Sequence, residues 1–147
     1  MSALGLSAAA ATVSGTAFTA WAVYVAVVEH PARLDSGVAC ARAQFRPSYR
    51  RAAPWQASFA TIALVGGAAA ALLSARLAWL AGALAIGAAI PLTLVVIRPV
   101  NRRLLSTEPL ADAEALALLR RWGQLHAVRT GLGALGLLLF LLALGTR

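Results

Sequence analysis

Glu29-His30-Pro31-Ala32-Arg33 closes a run, residues 4–28, in which nearly every side chain is apolar. No lysine or arginine precedes Arg33. An acid, an imidazole, a helix breaker and a guanidinium then follow one another almost without interruption. A second polar cluster, Arg121-Trp122-Gly123-Gln124-Leu125-His126-Ala127-Val128-Arg129, opens the last apolar run. The chain has two histidines, His30 and His126, and each stands where an apolar run meets a polar stretch. This pattern predicts that the two clusters come together at one membrane surface and form the functional site.

Working outward, the composition agrees. The chain has 147 residues, 61% of them hydrophobic, and a mean hydropathy of +0.78. That is the composition of a membrane protein, in a length that allows one domain. Four runs, residues 4–28, 57–73, 77–97 and 125–144, come near the roughly 20 residues a spanning helix needs. Backbone groups in lipid must be satisfied within the chain, so the expected fold is an all-α four-helix transmembrane bundle. Ser74-Ala75-Arg76 separates the second and third runs and forces an antiparallel hairpin. The other two connections, residues 29–56 and 98–124, are long and polar, and amphipathic helices at the membrane surface are expected in both. The first run is expected to span and not to serve as a signal peptide, because it lacks a basic n-region and is long for an h-region.

All thirteen basic residues are arginine, and the net charge is +8. Eleven lie on the side of the two long connections, whereas Arg76 and Arg147 lie on the other. The positive-inside rule therefore puts the connections in the cytoplasm and both termini outside, as expected of a protein integral to the inner (cytoplasmic) membrane. Arginines beside apolar runs point to lipid phosphates and away from nucleic acid. Lipid contact is expected for Arg42, Arg50, Arg51, Arg102 and Arg103. Cys40 is the lone cysteine, which excludes an internal disulfide and, with two histidines, a closed zinc site of Cys and His alone.

Finer expectations follow from spacing. Thr12, Thr16, Thr19, Val23, Ala26 and His30 alternate steps of four and three and predict one helix face. Ala63, Gly67 and Ala71, then Ala78 and Gly82, read as close-packing faces. Pro91 predicts a kink, since it cannot donate to the Gly87 carbonyl. Asp35 is the expected cap of a short helix from Ser36, interrupted by Pro47, with Pro47 or Pro54 in the first turn of the second span. Trp55 and Tyr49 are expected at headgroup level. A helix is expected from Ala111, with Asp112 and Glu114 in its first turn, so that Trp122, His126, Arg129, Gly133, Gly136 and Phe140 share a face.

No phosphate loop, dinucleotide fingerprint, HExxH or nucleophile elbow is present. What remains is ionisable groups at helix ends: Glu29, His30, Arg33, Arg121, His126 and Arg129. Such groups in a membrane chain mark function by default. Two histidines on different helices can be axial haem ligands. With Glu29 they can instead bind a transition metal. Without metal, an imidazole of pKa about 6.5 is a good general base, and neighbouring arginines stabilise an oxyanion.

Four segments carry a resemblance: Val28-Glu29-His30-Pro31-Ala32-Arg33-Leu34, Pro47-Ser48-Tyr49-Arg50-Arg51, Pro99-Val100-Asn101-Arg102-Arg103-Leu104, and the run from Arg121 to Thr130. In this order they resemble the anthrone oxygenase family over nearly the whole chain. The resemblance implies a four-helix integral membrane protein. It also implies the named activity of that family in fungal polyketide pathways, the oxidation of an anthrone by dioxygen to an anthraquinone without metal or flavin. The expected function is a membrane-embedded oxygenase or redox enzyme acting on an apolar, ring-bearing substrate. His30 or His126 would remove a proton from an acidic ring carbon, and Arg33 and Arg129 would hold the enolate. Trp122 and Tyr49 would flank the ring, with Glu29, Asn101 and Arg121 as further substrate-binding candidates. Expected partners are membrane lipid and an apolar small molecule, with self-association into a homo-oligomer open. Two alternatives stay open: a haem- or metal-binding redox protein using His30 and His126, and a non-enzymatic bundle acting as a subunit or small carrier.

Overall fold

A computed structural model describes residues 2–145, which form four long helices without a strand. They are α1 (Ala3–Asp35), α2 (Val38–Ser74), α3 (Leu77–Leu105) and α4 (Asp112–Gly145), and each is long and apolar enough to cross a membrane. Arg147, counted above in the charge split, lies outside the described residues. Ser36-Gly37 and Ala75-Arg76 are the whole of two connections, so successive helices run antiparallel.

Apart from residues 36–37 and 106–111 the polar stretches are helical, as expected, but they continue the spanning helices instead of forming separate pieces. At 37 residues, α2 is about 55 Å long against a hydrocarbon thickness of about 30 Å. The bundle therefore extends beyond the apolar layer on the side of the polar stretches. Pro47 and Pro54 both lie inside α2. Each removes one helical hydrogen bond, but the carbonyls released belong to Ala43 and Arg50, which are exposed and have solvent or headgroups at hand. Asp35 ends α1 and caps nothing, because Gly37, at φ +85°, makes the reversal into α2. The hairpin between α2 and α3 has Ala75 at φ +54°, a region that suits glycine better. Ala75→Gly is accordingly expected to raise stability by about 0.5–1 kcal/mol, measured as a shift in the unfolding midpoint. An unchanged midpoint would contradict it.

The bundle has a closed end and an open end. At the closed end Ala11, Ala63, Ala83 and Ala143 let the helices approach, and Phe18, Ile86 and Phe140 are fully buried among them. The α3–α4 crossing is the tightest point: a Cβ on Gly82 would stand 2.9 Å from the Gly136 carbonyl and 2.6 Å from the Phe140 ring. Ala63, Gly67 and Gly82 all lie on the buried faces anticipated for them. Large apolar side chains such as Val13, Val65, Leu72 and Leu138 are exposed on the outside, the surface a lipid environment covers.

At the open end two helices depart from α geometry. In α1 the turn Val25–Glu29 is a π-helix, and the His30 N–H bonds back to the Val25 carbonyl. The buried face of α1 runs Ala8, Ala11, Gly15, Phe18, Ala22, Val25 and then steps by five to His30 and Arg33. The extra residue turns His30 and Arg33 into the bundle where Glu29 and Ala32 would otherwise point. It also corrects the expected stripe: Thr16 and Val23 are exposed, because counting back from His30 at 3.6 residues per turn misses the insertion. In α3 the chain past Pro91 loosens into a second π-helix, Leu92–Ile97. The helices α2 and α3 pack closely along Leu77–Gly87, part beside Leu92–Ile97 and meet again at Arg98–Leu105.

Candidate functional site

The parting of α2 and α3 leaves a cavity of about 140 Å³ in the open half of the bundle. Its walls are mostly apolar. Phe18 and Trp21 come from α1, Phe45 and Tyr49 from α2, Ile97 from α3 and Trp122 from α4. The mouth lies between Ala57 of α2 and Leu94 of α3, both exposed, Leu94 by 58%. The opening is framed by small and aliphatic side chains of two helices long and apolar enough to cross a membrane.

Three polar groups of three kinds enter this wall. The first is His126, one helical turn beyond Trp122. It is 3% exposed, and its Nε2 lies 3.1 Å from the Ala22 carbonyl. A carbonyl only accepts, so Nε2 carries the proton and Nδ1 keeps its lone pair. Trp122 stacks on His126 with ring centroids 4.8 Å apart and fixes its plane.

The second is Arg33, which has a polar partner at each of its three side-chain nitrogens. Its guanidinium donates to the Glu29 carboxylate, with which it forms a salt bridge, and to Gln44 Oε1. It lies 3.4 Å from both Ser48 Oγ and His30 Nδ1. Ser48 and Gln44 also donate to Glu29. The cation rests against the rings of Phe45 and Trp122, 5.4 and 5.7 Å from their centroids. A charge taken out of water is tolerated when paired and hydrogen-bonded on this scale. Glu29 supports Arg33 from behind and does not reach the cavity wall.

The third is Arg129, beside Gln56. Arg129 Nη2 donates to Gln56 Oε1 at 2.8 Å, and its guanidinium lies 5.4 Å from the Phe18 ring centroid.

A buried chain ties the helices together around these groups. The Trp122 indole N–H donates to Asn101 Oδ1 at 2.9 Å, and Asn101 Nδ2 donates to the Tyr49 hydroxyl oxygen at 3.1 Å. An indole can only donate, which fixes the Asn101 amide, and Tyr49 keeps its own O–H to give.

Of the residues singled out in the sequence, Arg33, Tyr49, Asn101, Trp122, His126 and Arg129 meet at this cavity. Three stand differently. His30 is buried and touches Trp122, with centroids 5.1 Å apart, but it lies behind the wall. Its Nε2 edge presses on α4 where Gly123 leaves room: a Cβ there would stand 2.5 Å away. Glu29 is the partner of Arg33. Arg121 is exposed on the outer face of α4 and stays away from the cavity, because it sits one residue before the inward Trp122. Tyr49, expected at headgroup level, lines the cavity, whereas Trp55 is exposed. Arg42 and Arg46 donate to the Leu110 and Leu105 carbonyls, and Arg103 pairs with Glu108 and Glu114. Arg46 and Arg103 tie α2 and α4 to the end of α3, and Arg42 ties α2 to the connection between α3 and α4.

The two imidazoles have different partners, His30 toward Arg33 and His126 toward Ala22. Among the described residues no group of three His, Cys, Asp or Glu is placed to hold a metal ion. Glu29 and the two histidines are therefore not grouped as a three-ligand metal site.

Sequence reasoning missed Gln56, Phe45 and Phe18. A signal for Gln56 exists: it lies seven residues after Tyr49, two helical turns, and so on the same face of α2.

The family model described as Anthrone oxygenase matches residues 45–139. No curated protein and no solved structure matches the chain.

Proposed function

The chain belongs to the anthrone oxygenase family, and from that premise we propose that it is a membrane-embedded oxygenase that oxidises an apolar, ring-bearing substrate with dioxygen. The observation that carries this reading is the cavity itself: apolar, ring-lined, opening between two candidate spanning helices, with one imidazole and guanidinium groups in its wall. A substrate that partitions into the bilayer enters between α2 and α3. His126 Nδ1 takes a proton from the activated ring CH₂, and the enolate oxygen is held by the arginine side of the wall. The carbanion gives its electrons to dioxygen, and a C–O bond forms as a hydroperoxide. Loss of the second proton from that carbon with cleavage of the O–O bond leaves a ring ketone and releases water. One oxygen atom enters the product, the other leaves as water, and the substrate supplies all the electrons. In this reading the reaction needs no metal, haem or flavin. Arg33 and Trp122 set the cavity shape, and His30 holds both in position.

Oxygen uptake by the protein in lipid vesicles supplied with an anthrone tests this, with the anthraquinone followed by its absorbance. One dioxygen consumed per quinone, without hydrogen peroxide, is the expected stoichiometry. Uptake no faster than in protein-free vesicles would sink the reading. Ala57→Trp places an indole in the mouth and is expected to slow uptake of a three-ring substrate far more than that of a single-ring one. Equal effects on both would argue against this entrance.

The same reading assigns the polar end of the bundle to the cytoplasm and the protein to the inner membrane, from the arginine asymmetry. A C-terminal alkaline phosphatase fusion should then be active, and a C-terminal fluorescent protein that matures only in the cytoplasm should be dark. The reverse pattern would overturn the orientation.

A further inference from the structure

Arg33 and Arg129 both line the cavity, but their surroundings differ. Arg33 has its carboxylate. Among the described residues Arg129 has none, and its Nε has no hydrogen-bond partner. Gln56, 4% exposed, gives Oε1 to Arg129 and leaves Nε2 buried without a partner too. Buried donors are ordinarily satisfied, and each one left open costs free energy. Two neighbouring open donors, one on a cation without a counter-charge, mark a place where an acceptor belongs. The Tyr49 hydroxyl, whose oxygen already accepts from Asn101, offers a further donor on the same wall.

We infer that Gln56 and Arg129 form a subsite for an anionic oxygen carried on a flat aromatic ring, so that the ligand binds as a phenolate or enolate in preference to its neutral form. A negative oxygen here completes both side chains and neutralises Arg129, whereas a neutral hydroxyl does only the first. The ring is specified by the other walls, Phe18, Trp21 and Phe45, and by a volume close to the about 150 Å³ of an apolar cavity that accepts benzene. This rests on the cavity being the substrate site. It adds that recognition of charge falls to Gln56 and Arg129, while Arg33 is already neutralised by Glu29.

The test uses 4-nitrophenol with the detergent-solubilised full chain, because the probe's colour reports its ionisation. The uncharged 4-nitroanisole reports the apolar cavity alone, and dodecanoate offers the same charge on an aliphatic body. The unaltered protein should bind nitrophenolate at least about tenfold more tightly than nitrophenol. Gln56→Leu and Arg129→Gln should lose that preference and still bind nitroanisole. Gln56→Glu keeps the side-chain length and supplies its own carboxylate to Arg129, so it should exclude nitrophenolate even if Gln56→Leu fails to fold. Equal binding of phenol and phenolate, or an undiminished preference in Gln56→Glu, would overturn the subsite. Dodecanoate displacing the probe at lower concentration than other phenols would overturn the aromatic assignment. The outcome is separable from the oxygenase reading: phenolate preference without oxygen uptake keeps the subsite and removes the reaction, and the converse removes the subsite alone.

Discussion

Replacing His126 by glutamine is expected to lower turnover by about 10²–10⁴-fold, the usual worth of a placed proton acceptor. Glutamine is the informative substitution. Its amide can still donate to the Ala22 carbonyl, the bond that His126 Nε2 makes at 3.1 Å, so α1 and α4 stay joined. It cannot take a proton from carbon. Alanine would remove both functions and open a hole beneath Trp122. His30→Ala is expected to cost less, because His30 lies behind the wall and acts through Arg33 and Trp122. Arg102→Ala should leave the rate unchanged, since Arg102 is exposed and away from the cavity. The measurement is oxygen uptake per folded protein, with nitroanisole binding as the check on the cavity. Activity of His126→Gln like that of the unaltered protein would remove His126 as the base, and a larger loss in His30→Ala would give that role to His30.

Fold class and the polar end of the bundle were legible in the sequence because each rests on long-range averages. Four apolar runs of spanning length leave no alternative to helices in lipid, and both histidines stand at run ends. The ends of the helices were less legible, because proline and glycine carry ambiguous instructions. Pro47 and Pro54 read as breaks, but their released carbonyls are exposed, so α2 continues. The face of α1 was misread by one residue, since a π turn has no compositional signature and shifts every position on one side of it. The same turn decides that His30 and Arg33 point inward, so the site's geometry depends on a feature that periodicity alone does not reveal. Gln56 was passed over as the last polar residue of a connection. Its significance comes from an amide nitrogen left without a partner in the cavity wall, a property of the packed structure and not of the local sequence.

Glu29→Leu is expected to destabilise the bundle by about 3 kcal/mol, the low end of the range for removing one partner of a buried ion pair. The Arg33 side chain is 3% exposed and that of Glu29 18%, so the guanidinium left behind has little water within reach. Gln44 and Ser48 would also lose the acceptor they share with Arg33. The low end is expected because the pair stands at the end of the apolar run, where a freed arginine can partly reach the headgroups. Adding Arg33→Met to Glu29→Leu removes the stranded charge and fills the space with an apolar chain of similar length. The double variant should therefore be more stable than Glu29→Leu alone, although two mutations have been made. Unfolding midpoints of the four proteins in a double-mutant cycle measure this coupling directly. A double variant less stable than either single one would mean that the pair contributes by packing, and that Arg33 is not held by charge. The cycle also separates two roles for Arg33. If it shapes the cavity through its pairing with Glu29, the double variant should regain stability but bind nitroanisole in an altered cavity, because methionine cannot rest on Phe45 and Trp122 as the planar cation does.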